Sequence, residues 1–481
     1  MLRISIFVLA LCPAFVHAQG TVFTAQNDTG RTAVNQNETI LSPLNVKAGG
    51  FGKLFTRAVD GNIAGQPLYV PNVNISPNGM HNIVYTATTN NSVYAFDADD
   101  PGLSAPLWRT SLGPTAPATN GVTAGILGPP VIEAASGTLY AVALIQAESP
   151  IYQLHALDLL TGAEKPNSPV LIEGKAGPIA FDASRTLQSS GLLLAGGKVY
   201  VAFESGWIFG YDAATLQQTA AQNLAPGRAG LSADSAGFIY ACTGNGIHDG
   251  ILKFGGSCVK LDPSQGLAIV DTFSGDAARR FSGGLAYNQA SGSLYVWSGD
   301  DRLKSYPFAG GVLAADPASM STAVVPYGAA LSVSANGNTA GSGIVWATTP
   351  GAPPGVAAVP GALRAFDASD VSIELWNSDW DSDRNGGRDA LGNFAPSAAP
   401  TVANGKVYVP TSSSQLVVYG MLASAVADRL SLTSVKRGGA AVMDVASANA
   451  QGITLTGASG GRIYEGLGAV SAGASSRLLI D

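Results

Sequence analysis

The feature that most constrains this chain is a repeat. A small or turn residue followed by an aliphatic and an aromatic occurs at Val84-Tyr85, Leu139-Tyr140, Val199-Tyr200, Ile239-Tyr240, Leu294-Tyr295, Val345-Trp346 and Val407-Tyr408, at spacings of 55, 60, 40, 55, 51 and 62 residues. Each copy is followed by a second run of strand-forming residues: Val93 to Asp97, Leu154 to Asp158, Ile208 to Asp212, Val259 to Asp262, Leu303 to Tyr306, Leu363 to Asp367 and Val417 to Tyr419. A period of ~40 to 50 residues with several short strands per unit predicts an all-β, seven-bladed β-propeller of four-stranded antiparallel blades, with eight blades as the alternative. No stretch holds a helical period for three turns.

Five of the second runs end on Asp, a residue whose carboxylate accepts backbone N–H bonds from the turn that follows. These aspartates therefore read as turn residues, although together they look like a set of catalytic carboxylates. The ends of the repeat also imply how the ring closes. The last copy stops at Tyr419-Gly420 without an outer strand, whereas Lys53-Leu54-Phe55-Thr56-Arg57 lies ahead of the first copy and matches Leu107-Trp108-Arg109-Thr110. The N-terminal strand is expected to complete the seventh blade, removing the open edges of a linear array.

Outside the ring, the chain begins with a charged start, an apolar run from Ile4 to Val16 and an acceptable cleavage site at Val16-His17-Ala18, the pattern of a secretory signal. Residues 1–18 are thus expected to be removed near Ala18, placing the mature protein in the periplasm or outside the cell. Cys12 falls within the discarded segment, and no later run is long enough to span a membrane. Residues 19–50 are polar, without period, and read as an extended arm; 51–422 form the propeller; 423–481 are a β-rich extension. Loss of Arg3 leaves 25 basic against 33 acidic residues, a net charge of −8, with the basic residues scattered singly. That distribution argues against nucleic acid as a partner, and a monomer is expected.

At Ala156-Leu157-Asp158-Leu159-Leu160-Thr161-Gly162 the chain resembles the repeat of pyrroloquinoline-quinone-type propellers, in which such a turn leads to a Trp. The resemblance to secreted bacterial quinoprotein-like (PQQ-repeat) propellers extends through Gly52-Lys53-Leu54-Phe55, Gln66-Pro67-Leu68-Tyr69-Val70-Pro71, Leu375-Trp376-Asn377-Ser378, Arg388-Asp389-Ala390-Leu391-Gly392-Asn393-Phe394 and Pro400-Thr401-Val402-Ala403-Asn404-Gly405-Lys406-Val407-Tyr408. The alcohol dehydrogenases of this fold use eight blades, adjacent cysteines beside the quinone, and calcium. This chain has seven repeat copies and no adjacent cysteine pair, so bound PQQ is not expected.

Several smaller constellations bear on chemistry. Cys242 and Cys258, the cysteines of the mature chain, sit on consecutive predicted strands and read as a disulfide, with two buried free thiols as the rival reading. Asp381, Asp383 and Asn385, with Asp389 further on, match the start of a calcium loop, but Gly392 stands where the bidentate Glu belongs. The set is therefore either a calcium site or a solvated acidic loop between blades. Of the histidines, His155 reads as a core residue within a strand, His81 belongs to another blade, and His248 is the one placed to act at the surface. Glu204, Trp207, Trp297, Asp300, Asp301, Arg302 and Trp346 could line a site for a small polar or saccharide ligand, or could pack between blades. Gly457-Ala458-Ser459-Gly460-Gly461 has the spelling of a hydrolase nucleophile elbow without the strand-to-helix context it needs. The expectation is a non-catalytic binding or scaffold module of the cell envelope or extracellular space, for a protein or small polar ligand. The competing reading is a PQQ- and calcium-dependent oxidoreductase of alcohols or sugars. In either case, the central channel is where a propeller ordinarily receives its ligand.

Overall fold

The computed structural model describes residues 20–422 except 78, 118–122, 225–229, 243–256, 275–282, 353–358 and 381–386. It is a seven-bladed β-propeller with no α-helix among the described residues. The strand nearest the axis in each of the first three blades is Leu68–Ile75, Val131–Glu133 and Leu193–Ala195. In the remaining blades it is Gly230–Ala233, Gly283–Asn288, Ala330–Ser334 and Thr401–Ala403. Most of these inner strands pack against the inner strand of the next blade, and the first and last meet each other to complete the circle. From each, the sheet runs outward through antiparallel neighbours, in chain order except for the outermost strand of the seventh blade.

Closure occurs where the repeat's offset places it. Phe51–Ala58 pairs antiparallel with Gln415–Met421, with Phe55 opposite Val418 and Arg57 opposite Leu416. The ring is therefore sealed by ladder bonds between segments near opposite ends of the propeller, and Gln415–Met421 is paired on both edges at the seam.

The repeat's aromatic and aspartate turn out to serve one another across blades. Asp97, Asp158 and Asp212 each accept N–H bonds from the residues two and three positions on. Asp262 and Asp367 each accept one from the residue two positions on. These bonds turn the carbonyl of the intervening residue toward the neighbouring blade. Tyr85 Oη donates to Leu159 O at 3.1 Å, Tyr140 Oη to Ala213 O at 2.7 Å, Tyr295 Oη to Ala368 O at 2.7 Å and Tyr408 Oη to Ala98 O at 3.2 Å. Each acceptor directly follows a turn aspartate of the next blade, so the two hallmark residues of the repeat form an interblade latch. Burial pushes the Tyr140 hydroxyl up to about 12 and raises Tyr85 and Tyr408 further, keeping all three protonated donors.

Candidate functional site: an occupied hub and a rim cavity

An inner strand has one edge paired with its own blade and the other facing the axis, where its N–H and C=O groups need partners. Here the N-terminal arm supplies them. The residue that pairs with the aliphatic of the repeat landmark is Tyr69, Ile132, Ala233, Tyr287 and Val333 in the first, second, fourth, fifth and sixth blades. The amides of these five structurally equivalent residues donate in turn to the carbonyls of Val22, Phe23, Thr29, Thr32 and Ala33, at 2.8 to 2.9 Å. In the seventh blade Val402, at the same level, accepts from Asn35 Nδ2 at 2.8 Å. Val34–Asn35 also adds to the sixth blade as a fifth strand, parallel to Ala330–Ser334. Residues 22–35 thus form a collar inside the ring, whose backbone carbonyls meet the first, second, fourth, fifth and sixth blades in chain order.

The third blade is reached by Arg31. Its Nη2 donates to Leu192 O at 2.8 Å and Gly191 O at 3.4 Å, its Nε to Leu231 O at 2.8 Å, and its Nη1 to Thr24 Oγ1 at 2.7 Å and Ala25 O at 2.6 Å. All five of these bonds end on neutral oxygen acceptors. Desolvation pulls the guanidinium down to about 10, against the opposing field of Asp28, so it remains charged at neutral pH. The backbone pays for this arrangement, with Gln26, Asn27, Arg31 and Ala33 all at positive φ. The collar closes on itself where Gly20 abuts Asn35: a Cβ at Gly20 would lie 2.6 Å from Asn35 Nδ2. Beyond it, buried Glu38 accepts from Ile40 N and Leu41 N through Oε1, and from Gly405 N through Oε2.

A second feature lies on the rim beside the seam. A cavity of about 140 Å³ is lined by Ala48, Gly49, Trp376, Trp380, Arg388 and Asp389. Trp376 forms its buried floor, whereas the Trp380 indole is 51% exposed. Asp389 is buried and binds the Arg388 guanidinium in a two-pronged pair, Nε to Oδ1 at 2.9 Å and Nη2 to Oδ2 at 2.8 Å. The same Oδ1 accepts the Lys53 amide at 2.8 Å, and Tyr419 Oη donates to the Asp389 carbonyl. Gly52 is obligatory here, since a Cβ would fall 2.7 Å from Asp389 Oδ1. Asp389 therefore anchors the closing strand and orients Arg388 at the cavity.

Of the proposed calcium ligands, Asp381, Asp383 and Asn385 lie outside the described residues, as do His248, the hydrolase-like spelling at 457–461, the signal segment and the extension 423–481. Cys242 and Cys258 stand opposite each other on adjacent strands and are joined as a disulfide, with Cα atoms 3.9 Å apart. His155 is buried with Nδ1 2.6 Å from Glu164 Oε1, and His81 makes the same contact with Asp97 Oδ2. Trp207, Trp297 and Trp346 are buried in three different blades, and Trp297 and Trp346 spend their indole N–H bonds on Asp301 O and Ser334 Oγ. Glu204 accepts from Ser189 Oγ in the third blade, remote in the ring from Asp300, Asp301 and Arg302 in the fifth, so this set forms no common site. Sequence reasoning missed the collar and Trp380. The signal for Trp380 was an aromatic set among aspartates in a loop.

No protein-family model and no curated protein matches the chain. Among solved structures it is similar to a quinohemoprotein alcohol dehydrogenase, ADHIIG from Pseudomonas putida HK5, with a TM-score of 0.52 and 12% identity over 88% of this chain and 82% of that one. It is also similar to the computationally designed protein Ika8, with a TM-score of 0.46 and 11% identity over 77% of this chain and 99% of that one. BamB from Moraxella catarrhalis gives a TM-score of 0.39 and 16% identity over 77% of this chain and 97% of that one. At such identities the likeness to the dehydrogenase establishes the propeller fold alone.

Proposed function

We propose that this chain is an exported, non-catalytic β-propeller that acts as a binding or scaffold module and meets its ligand on the rim rather than on the axis. The observation carrying this reading is the collar: a quinone or other ligand at the level of Tyr69, Ile132 and Val333 would have to share the hub with residues 22–35. The cysteines also depart from the adjacent pair expected beside a quinone, since Cys242 and Cys258 are 16 residues apart and bonded across two strands. The leader-like N-terminus and the disulfide both suit an oxidising compartment. Among the described residues no helix is long and apolar enough to cross a membrane.

The rim cavity has the chemistry of a small polar ligand site, and a saccharide is the class we assign to it. An exposed indole offers a flat apolar face, and the partly exposed Arg388 guanidinium beside it, oriented by buried Asp389, offers a polar group to hydroxyls. Two measurements test the reading. Purified protein incubated with pyrroloquinoline quinone and calcium should retain no quinone absorbance after gel filtration and should reduce no dye with alcohols or sugars; retention with turnover would make it an oxidoreductase. A panel of soluble glycans should include one that changes tryptophan emission in the native protein but not in Trp380→Ala. If none does, the saccharide assignment falls.

A further inference from the structure

We propose that the hub is a peptide-binding site for a turned, arginine-bearing segment, and that residues 20–38 of the same chain are its resident ligand, held in cis. The recognition has two parts. Main-chain bonds from the inner amides of Tyr69, Ile132, Ala233, Tyr287 and Val333 read the carbonyls of a turned backbone without regard to its side chains, and at Val34–Asn35 the segment adds as a strand to a sheet edge. The specific part is a socket of carbonyl oxygens. Gly191 O, Leu192 O and Leu231 O of the ring converge on Arg31, while Thr24 Oγ1 and Ala25 O of the arm complete its set of acceptors. A guanidinium presents five N–H donors in a planar fork; an ammonium has three and no plane, so lysine would leave buried carbonyls unpaired.

The arm has the character of a ligand rather than of a blade. It contributes a single two-residue strand, and its contacts follow the ring's symmetry rather than a core of its own. Its four positive-φ residues between Gln26 and Ala33 sit in turns closed by bonds within the arm, among them Arg31 N to Asp28 O and Ala33 N to Gln26 O. Its covalent tie to the propeller runs through the segment before Phe51, where Leu44 is 84% exposed. This inference stands or falls separately from the rim assignment, since it concerns the axis alone.

The test uses the full chain with a specific protease site inserted at Leu44. The folded protein is cleaved and incubated with an excess of fluorescent synthetic peptide copying residues 20–41. The expected result is that the peptide enters the hub and the original arm fragment is released. Arg31→Lys and Arg31→Ala versions of the peptide should load about tenfold less or worse, the equivalent of roughly 1.4 kcal/mol. Three results would overturn the proposal: no exchange while the cleaved ring keeps its circular dichroism and cooperative melt, equal loading of the Arg31→Ala peptide, or unfolding of the ring on cleavage.

Discussion

Asp97 shows how one side chain of the repeat is spent. Its Oδ1 takes the amides of Asp99 and Asp100 at 2.8 and 2.6 Å, and its Oδ2 lies 2.6 Å from His81 Nδ1. Desolvation alone would raise this carboxyl, but the two amides and the imidazole outweigh it and hold it below its ordinary value. A depressed folded-state value means that the contribution is fully present above about pH 4 and is lost as the pH falls through the lower folded value. Asp97→Ala should therefore cost on the order of 1–3 kcal/mol at neutral pH, because it strands two amides and His81. In thermal melts recorded from neutral to strongly acidic pH, the variant should show a shallower acid-side decline than the native protein. The latch hydroxyls are a second residue-scale test. Tyr295→Phe leaves Ala368 O without its 2.7 Å donor and should lower stability by about 1 kcal/mol without changing the fold, read by denaturant titration with circular dichroism. These positions were legible in the sequence because the chemistry needs particular residue types: a phenol that reaches the next blade, and a carboxylate that shapes its turn. The partnership between them was not legible, since the spacing within one repeat does not reveal contacts with the next.

At the scale of elements, the hairpin carrying Cys242 and Cys258 combines strand pairing with a covalent tie. The two residues face each other directly in the ladder, so the side chains already lie within reach when the strands pair. Titration of the denatured, unreduced protein should find no free thiol. Replacing both cysteines with serine should cost about 3 kcal/mol in the chain-entropy account, seen as a lower denaturant midpoint. The closing strand was legible for a related reason. Phe51–Ala58 has the alternation of an outer strand but no preceding inner strands of its own, and a ring with one blade lacking its outer strand has one place for it. What the pattern did not show is why Gly52 precedes Lys53. The reason is the approach of Asp389, which also accepts the Lys53 amide from 336 residues away in the chain.

At the scale of the whole molecule, the arm was the part least legible beforehand. Its bonds to the ring come mainly from backbone carbonyls, which any residue carries, so residues 19–50 show no periodicity to read. Arg31, Asn35 and Glu38 are among the positions where side chains reach the ring, and none is flagged by its type. The arm nevertheless couples the blades, which gives a prediction of a collective kind. Gly20→Val would drive a side chain into Asn35 and disturb its bond to Val402 O. Hydrogen exchange at the amides of Tyr69, Ile132, Ala233, Tyr287 and Val333 should then quicken together, although these residues lie in five different blades. Faster exchange confined to the neighbourhood of Asn35 would show that the collar is not one cooperative unit.

The collar also imposes an order of events on the growing chain. Asn35 finds its partner at Val402, 367 residues later, and the strand at 51–58 waits almost as long for Gln415–Met421. Contacts this distant in sequence form late, after the segments between them are in place. The segment translated near the start thus has its complete set of partners only when the seventh blade exists. The arm in effect counts the blades: a chain that stops early leaves it without Val402 and Gly405, and a chain that finishes is the one that can seat it.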